Sequence, residues 1–553
     1  MKNNNTEEKI KIIQRQEEEE STKKLADELN LPYLNLDATP IDPGAVGLFP
    51  LENLIKAKIL IFQKFGKSLK IALSNPENKE TIKFLEKLEK EGYKISKFIV
   101  SETSLNNAWK KFPKAALKRK KITKEIEITS QKIKELQKEI KHLKDIQAKL
   151  SKSSDLSTTE VLEIIIAGAL KVEASDIHFE AEEENLRLRY RIDGILQDIT
   201  DLPYKLYNPI LSRIKILSEL KINIHNVPQD GRFSIVIENQ EIEIRTSIMP
   251  GAYGENIVLR ILNPKTISLE LEDLGLEQYA LEIIKKEIKK PHGMIINTGP
   301  TGSGKTTTLY AFIKKINKPE IKIITLENPI EYHLEGIEQT QINPEKGYTF
   351  ASGLRAVLRQ DPDVILLGEI RDNETAETAI HAALTGHLVF TTLHTNNAAG
   401  AIPRLIDMGI NPKLIPSAVN LVIAQRLVRR VCKYCAEKYK PEAKTLNLLK
   451  KELQTIPQKI KKEYPALDKN LIILKPGKGC EKCNFSGYKG RIAVMELFIL
   501  DETLEEIIFS SPSISKIQEV TIKKGMITMK QDGLLKVLKK ITTLEEVERV
   551  LGE

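Results

Sequence analysis

Residues Gly299–Thr306 read Gly-Pro-Thr-Gly-Ser-Gly-Lys-Thr, and they stand between an apolar run, Met294–Asn297, and a helical pattern that begins near Lys305. A strand, a glycine-rich turn and a helix in that order make a phosphate-binding loop. Glycine is required because the backbone N–H groups must turn inward around an anion, a concave path that a Cβ would obstruct. Lys305 supplies a point charge for the β and γ phosphates, Thr306 offers a hydroxyl to Mg2+, and the positive end of the following helix faces the same anion. The cradle, taken as Gly299, Pro300, Thr301, Gly302, Ser303, Gly304, Lys305, Thr306 and Thr307, predicts that the chain binds ATP with Mg2+.

At 553 residues the chain is too long for one core, and about three or four domains are expected. A net charge of +9 with only 5% aromatic residues describes a Lys-rich protein that lacks the aromatic platforms of a nucleic-acid reader, although the excess charge suits an anionic surface. No run approaches the roughly 18 apolar residues that span a bilayer, and Met1–Glu8 is polar, so a cytoplasmic protein without a signal peptide is expected.

Residues 1–20 are polar, end in the run Glu17–Glu20, and are expected to be disordered. From 21 to about 115, short apolar runs such as Ile59–Phe62 and Leu69–Leu73 alternate with amphipathic stretches, which predicts a small α/β domain. Residues 116–153 carry heptad spacing, with Ile126, Ile133 and Ile140 on one seam position and Ile122, Leu136, Leu143 and Leu150 on the other. One helix is predicted there; a coiled coil, a helical hairpin arm and a solvated linker fit equally. Between 154 and 264 a helix precedes strands of period two, with Leu186, Leu188, Tyr190 and Ile192 on one face, Arg187, Arg189 and Arg191 on the other, and a hairpin turn at Asp193-Gly194. Such an arginine row is either a solvated sheet face or a surface that meets phosphates or acids.

From about 265 the strands Ile321–Leu326, Val364–Leu367 and Leu388–Leu393 alternate with helices, which predicts a mostly parallel sheet covered on both faces. Ligands of such sheets sit beyond the carboxyl ends of the strands, where Glu327, Asn328, Glu331, Glu369, Arg371 and His394 fall; His387 stands at the other end of its strand. Cleavage of a γ phosphate needs an oriented water, a metal and positive charge. Glu369 is the expected water-orienting carboxylate. Gly368 occupies the place of the usual metal-binding Asp, which leaves Mg2+ to Thr306 and waters, with Glu327, Glu331 or Glu369 in reach. His394 is the expected γ-phosphate sensor, and the strand-ending Arg232, Arg245 and Arg260 are the expected charge donors from the preceding domain.

All four cysteines fall in two CxxC pairs, Cys432/Cys435 and Cys480/Cys483, separated by 44 residues (436–479). Four thiolates around one Zn2+ make a closed, structural site.

These motifs together resemble the assembly ATPases of type II secretion and type IV pilus systems, from about Leu25 to the C-terminus apart from the Lys-rich stretch near 117–152. The resemblance rests on Ser175-Asp176-Ile177-His178 with Arg189, Asp193 and Gly194; on Pro228–Arg232 and Gly254-Glu255 leading to Arg260; on the acidic box Glu327–Glu331; on the atypical Walker B RQDPDVILLGEIRD (359–372); on the histidine box TGHLVFTTLH (385–394); and on Gly525–Val547. It implies a RecA-like core over 265–500 that includes a zinc insertion at 430–492, a PAS-like α+β domain before it, a partner-docking N-terminal domain and a helical segment at 501–553. It further implies a homo-hexameric motor at the inner membrane, working with a platform protein and a membrane-associated docking protein. Asn328 departs from the Asp usual in the acidic box, which weakens a metal role there. The tetracysteine insertion and long N-terminal region point to assembly rather than pilus retraction, and no Arg-Leu-Gly motif for a cyclic dinucleotide occurs. A nucleic-acid translocase and an inactive ring scaffold are the competing expectations.

Overall fold

The computed structural model describes residues 4–111 except 30, 37, 38, 40, 42–44, 46, 47, 50, 66, 67 and 91; residues 130–262 except 152, 238 and 239; and residues 269–552 except 511. The chain divides into two units, Met1–Glu127 and Ile128–Glu553.

In the first unit β1 (Ile59–Phe65) runs antiparallel to β2 (Ser68–Leu73), which is parallel to β3 (Lys94–Ile99). The helix Lys79–Lys90 makes the crossover and buries Thr81, Leu85 and Leu88 on one stripe, with Lys and Glu outward. Of the tail expected to be disordered, residues 4–20 form the start of a helix, Asn4–Glu28, and residues 1–3 lie outside the described residues. Two glutamates of the helix's acidic run are paired with one arginine. Arg15 pairs with Glu18 at 2.9 Å and Glu19 at 2.8 Å, and Glu19 accepts the Ser101 hydroxyl at 2.6 Å.

The second unit begins with another correction. The heptad stretch is not one free helix but two, Ser130–Glu139 and Leu143–Leu150. Asp145 ends the first and starts the second by accepting the N–H groups of Lys141 (2.8 Å) and His142 (3.2 Å), donors that a continuous helix would turn inward. Ile133, Leu136, Ile140, Leu143, Ile146 and Leu150 all enter the core of the following domain, so the seam is covered by that domain rather than by another coil strand. Ile122 and Ile126 lie outside the described residues.

That domain is a six-stranded antiparallel sheet, β4 (Asp176–Ala181), β5 (Asn185–Ile192), β6 (Ile195–Pro203), β7 (Gln229–Ile237), β8 (Gln240–Gly251) and β9 (Gly254–Leu262), in the order β6-β5-β4-β9-β8-β7. Every second residue of β5 is buried, and Asp193 and Gly194 turn the β5–β6 hairpin with φ of 49° and 84°. The helix Thr158–Lys171 covers the apolar face and starts with a Ser157/Glu160 capping box.

The core is a seven-stranded sheet of β10 (Gly293–Thr298), β11 (Ile323–Glu327), β12 (Glu338–Gln341), β13 (Val364–Leu367), β14 (Leu388–Leu393) and β15 (Val419–Val431), closed by an antiparallel edge strand after the insertion. The insertion carries β16 (Glu437–Tyr439) and β17 (Ile473–Lys475), and β18 (Tyr488–Ile499) completes the sheet in the order β12-β11-β13-β14-β10-β15-β18. Strands β10 and β14 are buried along their whole length, and separate apolar cores lie on the two faces. The insertion packs Leu446, Leu449 and Ile473 against Leu534, Leu538 and Val547 of the C-terminal helices. Among the described residues no helix is long and apolar enough to cross a membrane.

Candidate nucleotide site and tetracysteine knuckle

β10 lies inside the sheet between β14 and β15, and its last residue, Thr298, is fixed by its hydroxyl to Leu393 O (3.1 Å) and to the Thr395 hydroxyl (2.8 Å). This bond holds the carboxyl end of β10 against that of β14. The chain then turns through Gly299 and Gly304, with φ of 148° and 87°. A Cβ on Gly299 would stand 2.4 Å from Gln425 O, and one on Gly304 would stand 2.9 Å from Gln425 Nε2, so both positions are closed to any side chain. The helix Lys305–Ile316 follows, with Thr306 exposed in its first turn. Lys305 donates to Gly299 O (2.7 Å) and Pro300 O (3.1 Å), folding its ammonium over the loop. Burial pushes the Lys305 ammonium below its usual range, and the negative charge of Glu369 opposes the shift.

Strand order sets the rest. β14 is the immediate neighbour of β10, and β13 lies one place beyond. Glu369, just past β13, is largely buried; its Oε2 is 3.1 Å from Nε2 of the half-exposed His394, just past β14, and its Oε1 forms an ion pair with Arg371 at 2.5 Å. Glu369 and His394 are thus brought together on the sheet edge that carries the phosphate loop. His387 is not: it stands at the amino end of β14, 3.1 Å from Ala382 O in its own turn.

The acidic box separates into two roles. Glu327 is buried, and its carboxylate already accepts from the hydroxyls of Tyr310 and Thr325 and from Gln339 Nε2 (3.2 Å). Burial and this carboxylate push the Tyr310 phenol far up, so the phenol keeps its proton. Glu327 therefore ties β11 to the loop helix. Glu331 meets Arg245 at 3.1 Å, while the same guanidinium donates to Ile330 O at 2.6 Å. Of the three predicted arginines, Arg245 alone reaches the core. Arg260 bonds Asp176 at 2.9 Å, and Arg232 is exposed, 3.6 Å from Glu243. The β5 row resolves in the same way, with Arg187 bidentate to Asp198 (3.0 and 2.9 Å), Arg189 paired with Glu180 and Arg191 near Asp176, so this face is a set of ion pairs.

Behind the loop a cleft of about 360 Å3 lies between the six-stranded domain and the seven-stranded core, the two lobes of the second unit, lined by Leu170, Ile261, Leu274, Thr307, Gln425 and Leu427. Asp193 closes one end by accepting Gly490 N–H at 2.9 Å. Gln425, Tyr310, Gln339 and Thr395 carry no motif, and only their neighbours in space give them a part in the site.

The four cysteine sulfurs lie within 4.8 Å of one another, with Cys432–Cys480, Cys435–Cys483 and Cys480–Cys483 each at 3.8 Å. A tetrahedral zinc with four bonds of about 2.3 Å has sulfur–sulfur edges of about 3.8 Å. The donor set and its spacing fit that ion. The pairs are brought together because β15 and β18, hydrogen-bonded along their length, carry Cys432 and Cys483 at the same end.

Comparison with known proteins agrees in extent with this architecture. Residues 151–549 match the sequence profile of the family described as "Type II/IV secretion system protein", and residues 29–118 match the MshEN domain. The type II secretion system protein E of Dickeya dadantii is 45% identical over 411 residues, 74% of this chain and 79% of that protein. The type IV pilus assembly ATPase PilB of Myxococcus xanthus is 36% identical over 540 residues, 96% of this chain and 91% of that protein. The Legionella pneumophila ATPase DotB shares the fold, with a TM-score of 0.50 at 21% identity over 70% of this chain and 94% of that one.

Proposed function

Because the chain belongs to the type II/IV secretion system protein family and is an ATPase of the kind that serves type II secretion and type IV pilus assembly, we propose that it hydrolyses ATP at the Gly299–Thr307 loop to drive growth of a pilus or pseudopilus. The working form is a homo-hexamer on the cytoplasmic side of the inner membrane, held there by a platform protein and a docking protein rather than by a span of its own. The loop N–H groups and Lys305 hold the β and γ phosphates. Thr306 would hold Mg2+, with Glu369 in reach, and the ion would supply positive charge to offset the charge that develops on the phosphates. Glu369 orients the attacking water, and His394, which shares a hydrogen bond with it, exchanges that partner for the γ phosphate. Arg245 is held by Glu331 until the lobes close; released, it carries positive charge toward the phosphates, which couples hydrolysis to lobe movement. Zinc at the tetracysteine knuckle has a structural part only.

The observation that carries this reading is the Glu369–His394 pair at 3.1 Å on the sheet edge of the phosphate loop. The full chain, given Mg-ATP, is expected to run as a hexamer in light scattering and to release phosphate, and Lys305→Ala to do neither. A monomeric, inactive wild type would remove the proposal. Strong, salt-sensitive stimulation by single-stranded DNA would favour a nucleic-acid translocase instead.

A further inference from the structure

The side chain of Gln425 is buried on β15, the strand beside β10, directly behind the phosphate loop. Its amide nitrogen donates to Ser303 O at 2.9 Å, while its oxygen accepts from Asn297 Nδ2 at 3.0 Å and from the Thr308 hydroxyl at 2.9 Å. The orientation of the amide is fixed by chemistry, since Ser303 O accepts only and needs the NH2 end. One side chain thereby bonds the strand before the loop, the loop itself and the helix after it. The bond to Ser303 O has a particular consequence. In a trans peptide the C=O of residue 303 and the N–H of residue 304 point in opposite directions. Drawing Ser303 O back toward β15 turns the Gly304 N–H the other way, out of the loop's rear wall and toward the space the loop encloses. The glycines at 299 and 304 let the loop lie this close, because the Gln425 backbone and side chain occupy the places of their missing Cβ atoms.

We infer that Gln425 is a positioning residue for phosphate binding: it sets the Ser303–Gly304 peptide so that its N–H donates to the nucleotide. This rests on ATP occupying the loop as proposed above. Nothing in the Gln425 contacts touches Glu369 or His394. Its loss is therefore expected to weaken ground-state and transition-state binding alike, which raises KM and leaves kcat nearly unchanged. A side chain that merely supports the fold would lower the active fraction and move kcat instead.

The test uses the full-length chain, with Mg-ADP binding followed by fluorescence of a labelled nucleotide. Gln425→Met, which keeps the length and removes every polar contact, is expected to weaken Mg-ADP by about tenfold and raise KM for ATP by a similar factor. Gln425→Glu supplies the second arm. Its carboxylate repels Ser303 O, whereas the neutral acid has one O–H to donate there and a carbonyl oxygen to accept from Asn297 and Thr308. Its affinity is expected to be poor at pH 8.5 and to recover at pH 6 to within about threefold of wild type measured at the same pH. Mg-ADP affinity and KM of Gln425→Met within twofold of wild type would overturn the inference. So would a Gln425→Glu protein whose pH response parallels that of wild type, an outcome that decides the matter even where the Met variant does not fold. Failure of wild type itself to bind Mg-ADP would count against the ATPase reading instead, so the two failures are distinct.

Discussion

The C-terminal helix Leu544–Leu551 is fastened to β15 by one buried carboxylate, and removing it should release the helix. Glu546 is 1% exposed and accepts from Arg429 N (2.9 Å), Arg429 Nη2 (2.7 Å), Arg549 Nε (2.8 Å) and Arg549 Nη2 (2.6 Å). Burial alone would raise its pKa, but the guanidinium groups of Arg549 and Arg429 outweigh it and bring the carboxyl from 4.5 down to about 2. That drop corresponds to about 3 kcal/mol at neutral pH, reduced to about 2–3 kcal/mol because Arg549 is half exposed to solvent screening. A depressed carboxylate pKa stabilises above the unfolded value and loses that contribution as pH falls toward the folded one. The clamp is therefore whole above pH 4.5 and weakens below it, keeping less than half its strength near pH 3. In Glu546→Gln the amide NH2 faces guanidinium donors, and Arg429 is left without its charge partner. Amide hydrogen exchange in residues 544–551 is expected to speed up by about 30–150-fold at pH 7, with the gap between variant and wild type narrowing below pH 4.5. Exchange within threefold of wild type at pH 7 would refute the clamp.

Other perturbations address the remaining parts. Gly168→Ala would place a Cβ 2.7 Å from Ile146 and should loosen the docked helix Leu143–Leu150 at a cost of about 1–3 kcal/mol, read as faster exchange in 143–150; unchanged protection would mean that the helix does not dock there. The wild type should hold about one zinc per chain, and Cys435→Ser should lose most of it and make the insertion 436–479 sensitive to protease. A metal-free chain with an intact insertion would contradict that expectation.

The phosphate loop, the parallel core and the cysteine knuckle were legible in the sequence because each is written in consecutive or fixed-spacing residues. The loop fixes its own strand and helix, and two CxxC pairs define their ligand set whatever lies between them. The heptad stretch was legible only in part. Periodicity marks Ile133, Leu136, Ile140 and Leu143 as one apolar face, but it does not say that a neighbouring domain, and not a second coil strand, covers that face. The break at Lys141-His142 was hidden for a similar reason, since one Asp145 carboxylate makes it without glycine or proline. Strand-end carboxylates were correctly located at the sheet edge. Whether such a carboxylate is free depends on distant donors, as Glu327 illustrates through Tyr310 and Gln339. Gln425 was invisible because its partners Asn297, Ser303 and Thr308 are more than 100 positions away in the chain.

The most direct measurement is phosphate release by Glu369→Gln alongside Mg-ATP binding. The substitution keeps the size of the side chain and a hydrogen bond to His394 while removing the negative charge that orients and activates water. Mg-ATP affinity is expected to stay near wild type while kcat falls by about 10²–10⁴-fold. Turnover within threefold of wild type would show that the Glu369–His394 pair is not where the γ phosphate is cut.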